Sequence, residues 1–267
     1  VSSDQAKGLF TAGEKVIKSQ EELTPEQEYY LGRAVSAQVL ERYTPVLAPG
    51  KTSYLNLVGQ TVAGVSEMPE TFGGYHFAII QSDQINAVSA PGGFVFISSA
   101  LLKQLRDEDE LAAVLAHEVA HVVKRHGIDA IANASLFSAL TEVSKQAASV
   151  AASKVSSPVD LGPITTVFAE SVSGVTEKLL TKGYDRTQEY EADLYAANLL
   201  QRAGYDPHAL DRVLTILEDS SIHKQGGWFD THPSPADRIE ELKDDFTFPA
   251  PQAPNVTRKA RFKKAMG

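Results

Sequence analysis

One stretch leaves this chain little freedom in how it folds. Residues 106–126 read as a single helix from cap to stop and carry His117-Glu118-Val119-Ala120-His121 in their second half. Asp107 and Glu110 have capping-box spacing, with Asp replacing the usual Ser or Thr. Asp107 to Glu110 also put negative charge on the first turn, where it complements the helix dipole. Leu111, Val114, Leu115 and Val122 recur at helical intervals and form a core-facing stripe. Lys124, Arg125 and His126 fill the last turn before Gly127, the expected stop. His126 reads here as a solvated last-turn histidine.

On a helix, the two histidines of an HExxH run project from one face, a turn apart. Imidazoles so placed can share one zinc ion at about 2.0–2.1 Å each. Glu118 lies between them, close enough to act on a water there without being a ligand itself. A five-residue pattern can arise by chance, and the well-signalled helix around it is what gives it weight.

Catalytic zinc takes three protein ligands and keeps one position open. The longer pattern HExxHxxGxxH does not supply the third, because Lys124 stands at its glycine and Gly127 at its last histidine. A second helical stretch, Asp185 to Leu200 with Gly204 beyond it, offers carboxylates instead. Glu189 and Asp193 are four residues apart on one face. Such a pair can give one carboxylate to the metal and the other to the back of a ligating imidazole, fixing its tautomer. Glu191 is turned from Glu189 by about 200°, so both cannot face one ion. Tyr190, Leu194 and Ala197 lie on an adjacent face and are expected to pack inward. Taken alone, the stretch also reads as a solvated acidic face.

HExxH followed by Glu189-Tyr-Glu191-Ala-Asp193 resembles the gluzincin metallopeptidases of the Ste-type CAAX protease/HtpX family, and among them the soluble BepA- and LoiP-like bacterial members. Asn86 to Ile97 resembles the family's strand segment, Asp109 to His117 its run into the zinc helix, and Thr231 to Ile239 its C-terminal HPxxxxRI element. The resemblance covers about residues 24–244. It implies an α+β, mainly helical fold: a zincin-like core with a small sheet beside the HExxH helix. It also implies one zinc per chain, held by His117, His121 and Glu189, with Asp193 behind His117 and Glu118 as general base. His232 would be an extra histidine near the metal, either stabilising the transition state or occupying the open position in a resting form. Standing before Pro233, it reads equally as a capping or packing residue. Arg238 reads as structural, tying its helix to the core. Ser98-Ser99-Ala100 stands where the family carries a glycine-bearing turn.

Tyr75–Ser82 and Gly93–Ser98 are rich in β-branched and aromatic residues and read as strands. The second, beginning Gly93-Phe94-Val95, is a candidate to pair with an extended peptide by β-augmentation. Gly92 and Gly93 would let the backbone turn tightly or approach closely; they read equally as hairpin glycines.

Elsewhere helices dominate. Thr24, Pro25 and Gln27 start one that runs to about Tyr43. Asp206-Pro207 starts another, to about Ser220, and Ser234-Pro235 a last one, to about Asp245. Ala6, Leu9, Phe10, Val16 and Ile17 give a modest amphipathic stretch near the N-terminus. The simplest division is one peptidase domain, 1–246, with a helical excursion at about 128–183. That excursion either packs on the core, covers the cleft as a lid, or meets a partner or membrane surface. Residues 247–267, with prolines and then a basic run from Arg258 to Lys264, are expected as a mobile tail.

Net charge is −9, which disfavours nucleic acid, and the absence of cysteine excludes disulfides and thiolate zinc sites. No apolar run reaches the ~18 residues of a membrane span. The chain begins at Val1, and a signal or lipoprotein leader is expected to have been removed, with a bacterial periplasm implied by the resemblance. The function expected is zinc-dependent endopeptidase action on protein or peptide substrates, with envelope assembly partners by the same analogy. The alternative is a latent or non-proteolytic chaperone or adaptor that keeps a zinc-stabilised fold.

Overall fold

The computed structural model describes residues 23–129, 162–181, 183–218, 234–251 and 253–267. Its helices in chain order are α1 (Pro25–Arg42), α2 (Pro49–Ala63), α3 (Ser99–Gln104), α4 (Glu108–Val123), α5 (His126–Asp129), α6 (Gly162–Thr181), α7 (Arg186–Arg202), α8 (His208–Glu218), α9 (Pro235–Asp245) and α10 (Val256–Met266). Side-chain caps explain several of these starts. Thr24 and Gln27 form a full capping box with Pro25 at the first turn of α1, and Asp185 with Gln188 does the same for α7. The turn at Ser98-Ser99 is solved by chemistry other than glycine: Ser98 Oγ accepts from the Leu101 N–H at 3.0 Å and caps α3. The amphipathic stretch at 6–17 lies outside the described residues.

Three strands, β1 (His76–Ile80), β2 (Ala87–Ala90) and β3 (Phe94–Ser98), form a sheet in the order β1-β3-β2. β1 runs parallel and β2 antiparallel to β3. The turn between β2 and β3 needs its glycines: Gly92 and Gly93 sit at φ 74° and 100°, in the left-handed half of backbone space. A Cβ on Gly92 would also lie 2.7 Å from the Tyr29 Cα, so close approach to α1 is a second reason.

The two-residue period divides the sheet cleanly. Phe77, Ile79, Ala87, Val95 and Ile97 join the larger core with α2, α4, α7 and α8. Ile80, Val88, Ala90 and Phe96 join a smaller one with α1 and α6. Both faces are covered, so the strands carry almost no polar residues. α6 belongs to the expected excursion, and it packs through Val172, Val175, Leu179 and Leu180 onto this smaller core. Residues 130–161 of that excursion lie outside the described set.

α4 is the central element. Every residue from Glu108 to Val122 is buried, as expected of a helix enclosed on all sides. Burial creates a demand at its N-terminus, because Glu108, Asp109 and Glu110 keep at most 4% of their surface. Buried carboxylates need partners. Glu110 binds Arg106 and Asp107 caps the Glu110 N–H. Asp109 takes Arg258 Nη1 at 2.7 Å, and Glu108 takes Arg261 Nε and the Tyr54 hydroxyl, each at 2.5 Å. Burial alone would raise the Glu108 carboxyl; these donors outweigh it and hold it below its ordinary value.

This corrects the expectation for residues 247–267. In place of a mobile tail, the segment ends in α10, which buries Phe262 in the main core and clamps the acidic end of α4 with two arginines. The basic run is the countercharge to acids more than a hundred residues upstream.

Candidate metal centre

α4 presents His117 and His121 from one face, and α7 lies against it. α7 turns Glu189 and Asp193 inward and leaves Glu191 half-exposed. The imidazole Nε2 atoms of His117 and His121 are 3.0 Å apart. Glu189 Oε2 is 3.4 Å from the first and Oε1 3.5 Å from the second. These three residues are the group among the described residues whose donor atoms converge closely enough for a metal ion.

The donor set fits zinc. Tetrahedral ligands at about 2.1 Å from a zinc ion lie about 3.4 Å from one another, close to the separations found. Two imidazole nitrogens facing each other at 3.0 Å call for either a shared proton or a cation between them. The buried charges agree. With its three carboxylates (Glu118, Glu189, Asp193) ionised, and with the one guanidinium of Arg238, the pocket carries two negative charges in excess, which a dication balances.

The surrounding groups orient this set. Asp193 Oδ1 lies 3.0 Å from His117 Nδ1, the contact by which a carboxylate can hold a histidine in the tautomer with Nε2 free. Arg238 is entirely buried. It donates to both oxygens of Asp193 at 2.6 and 2.7 Å, and its Nη1 lies 3.1 Å from Glu189 Oε2. The expectation that Arg238 ties α9 to the core holds, and the place it ties to is the back of the metal site. Tyr184 stacks on the His121 ring at 3.9 Å with 16° between planes, and its hydroxyl donates to the Ser89 carbonyl at 3.3 Å.

Burial and the Arg238 guanidinium press the His117 imidazole down, and the Asp193 and Glu189 carboxylates outweigh them, carrying it up to about 9. The carboxylates around this imidazole thus draw positive charge to it, a proton or a metal ion alike, despite complete burial. Burial pushes His121 down to about 3, so it stays neutral. Burial also pushes the Glu118 carboxyl up to about 7. Among the described residues, Glu118 Oε1 has no hydrogen-bond partner. A buried carboxylate oxygen left open in this way is available to take a proton.

Two sequence expectations need correction. Gly93, Phe94 and Val95 do not present a strand edge, because β3 is the central strand, hydrogen-bonded to β1 on one side and β2 on the other. Gly93 belongs to the turn, Phe94 stacks between Tyr29 and His76, and Val95 is buried in the core. The strand that lies at the sheet's edge and against α4 is β2. His126 is not solvated: it is 2% exposed, and its Nδ1 lies 2.8 Å from His121 Nδ1. His126, Tyr184 and Arg238 are thus site residues that spacing alone does not reveal. His232 lies outside the described residues.

The sequence profile described as "Peptidase family M48" matches residues 49–245. The chain is 30% identical over 224 residues to a beta-barrel assembly-enhancing protease of Yersinia pestis, covering 83% of this chain and 44% of that protein. It is 28% identical over 214 residues to the mitochondrial metalloendopeptidase OMA1 of Schizosaccharomyces pombe, covering 79% and 58%. It is 25% identical to the metalloprotease LoiP of Escherichia coli over 169 residues, covering 63% and 62%. The chain spans less than half the length of the beta-barrel assembly-enhancing proteases it matches. The profile runs through both helices that build the donor cluster, and on that match this chain belongs to peptidase family M48.

Proposed function

We propose that this chain is a zinc-dependent endopeptidase in which His117, His121 and Glu189 hold one zinc ion and Glu118 is the general base. The observation that carries the reading is the convergence of two nitrogens and a carboxylate oxygen at ligand spacing, next to a buried carboxylate with an open oxygen. Zinc, when bound, supplies a Lewis acid that polarises a peptide carbonyl and brings the pKa of water down towards ~7. Glu118 Oε1 takes the proton of the attacking water, and the same carboxyl returns it to the leaving amine. Asp193 keeps His117 in its ligating tautomer, and Arg238 fixes Asp193. A substrate strand would add to β2, the sheet edge beside α4, with its backbone lying along the helix. His232 enters only through the family resemblance, as an additional histidine near the reacting carbonyl.

The beta-barrel assembly-enhancing relatives support protein substrates in a bacterial envelope, with the chain periplasmic or lipoprotein-anchored. No helix among the described residues is long and apolar enough to cross a membrane. A second reading has one observation behind it. His117, Glu118, His121 and Glu189 are each at most 1% exposed, which supports a latent resting form in which a peptide reaches Glu118 only after part of the molecule moves.

The test begins with elemental analysis of the purified protein, which should give one zinc per chain. Glu118→Gln should keep that zinc and lose about 10²–10⁴-fold in turnover of a casein substrate. His117→Ala and Glu189→Ala should lose the metal. Peptidase activity surviving in Glu118→Gln would overturn the assignment of the base; protein without zinc would overturn the site.

A further inference from the structure

The HExxH helix does not run on through His126. Arg125 adopts φ 58°, the single positive-φ residue other than glycine among those described. An L-residue in that conformation is strained, and the fold holds it by bonding the Arg125 guanidinium to the Leu23 carbonyl at 3.0 Å and to the Glu28 carboxylate. On an uninterrupted helix, a residue five places after His121 would point about 140° away from it. The reversal at Arg125 instead brings the His126 ring back against His121, Nδ1 to Nδ1 at 2.8 Å.

The proton positions follow from the metal. If His121 ligates through Nε2, its proton is on Nδ1 and is donated to His126. His126 must then accept through Nδ1 and carry its own proton on Nε2. That atom lies 3.3 Å from Glu191 Oε2. Glu191 Oε1 is in turn held by Lys124 Nζ at 3.2 Å. The hydrogen-bond directions are therefore consistent along the whole chain, from metal ligand to surface. Tyr184, stacked on the His121 ring, fixes its plane.

We propose that His126 is a positioning residue for the zinc ligand His121, and that Glu191, held by Lys124, anchors it: an imidazole interposed between a ligating histidine and its carboxylate. This rests on the zinc reading given above. It assigns a task to Glu191, which cannot reach the ion, and gives the strained turn at Arg125 a purpose.

Two substitutions separate the hydrogen bond from packing. His126→Phe keeps a ring of similar size and removes the acceptor; His126→Asn keeps an acceptor at the place of Nδ1 in a smaller side chain. Zinc affinity is measured by competition with a chromophoric chelator, together with the visible spectrum of the cobalt-substituted proteins. His126→Phe should bind zinc about 10–100-fold more weakly and show an altered cobalt spectrum, and His126→Asn should recover most of both. Glu191→Gln should weaken binding by less than His126→Phe. Unchanged affinity and spectrum in His126→Phe would overturn the proposal, as would His126→Asn losing as much as His126→Phe. Wild-type protein that binds no zinc would instead remove the reading on which it rests.

Discussion

His117 and His121 face the same point from adjacent turns of α4, yet they are supported in opposite ways. Behind His117 stands Asp193, its carboxylate gripped at both oxygens by an arginine with no exposed surface. Behind His121 stands the His126 imidazole, which leads outward to Glu191, whose side chain is 49% exposed. One ligand is held by charges sealed in the core and the other by a relay that ends in solvent. The difference teaches where rigidity in this site is stored. Electrostatic attraction is strong where water is excluded and weak where it is not, so the His117 side should govern folding and the His121 side only the fine geometry of binding.

The largest effect that could break this comparison is on stability. Arg238→Ala leaves Asp193 and Glu189 buried without their guanidinium and should cost about 3–5 kcal/mol, read as a lowered midpoint in chemical denaturation. Lys124→Ala, on the exposed side, should cost no more than about 1 kcal/mol. Equal losses would show that the two supports are not different in kind.

Salt sharpens the same contrast. Raising ionic strength screens exposed pairs and leaves buried ones nearly untouched. Zinc affinity in Asp193→Asn should fall by about 10–100-fold at low and high salt alike, whereas any deficit of Glu191→Gln should shrink as salt rises, because the wild-type contact is itself screened. Chelator competition at two salt concentrations checks this.

The smallest effect concerns the ring that lies on His121. Tyr184→Phe keeps the stack and removes only the hydroxyl that reaches Ser89. Stability should drop by about 0.5–1.5 kcal/mol with zinc affinity unchanged. A loss of zinc would mean that the hydroxyl, and not the stacked ring, positions His121.

Much of the molecule was legible before any fold was known. Asp107, Thr24, Asp185 and Ser234 mark helix starts through bonds or breaks within four residues, and the i, i+4 spacing of His117 with His121, and of Glu189 with Asp193, puts each pair on one face. The strand at 94–98 was also readable, but its position in the sheet was not. A sequence that is apolar throughout fits a central strand or an edge, and only pairing with both β1 and β2 decided it. Residues 256–266 looked like a tail because their basic character has no local partner; the partners are Glu108 and Asp109, buried at the far end of α4. His126 looked solvated because helical periodicity turns it away from His121, and Arg125 breaks that periodicity.

The sequence by itself determined which side chains share a helix face, because that depends only on 1.5 Å and 100° per residue. It therefore determined the two halves of a metal site. Tertiary structure alone decided that the halves meet, that Arg238 seals one of them, that a reversed turn supplies the other with His126, and that β2 is the last strand of the sheet, beside α4. The meeting of the halves and the sealing by Arg238 depend on contacts between residues 45 to more than 100 positions apart, where burial makes unpaired charge too costly to leave.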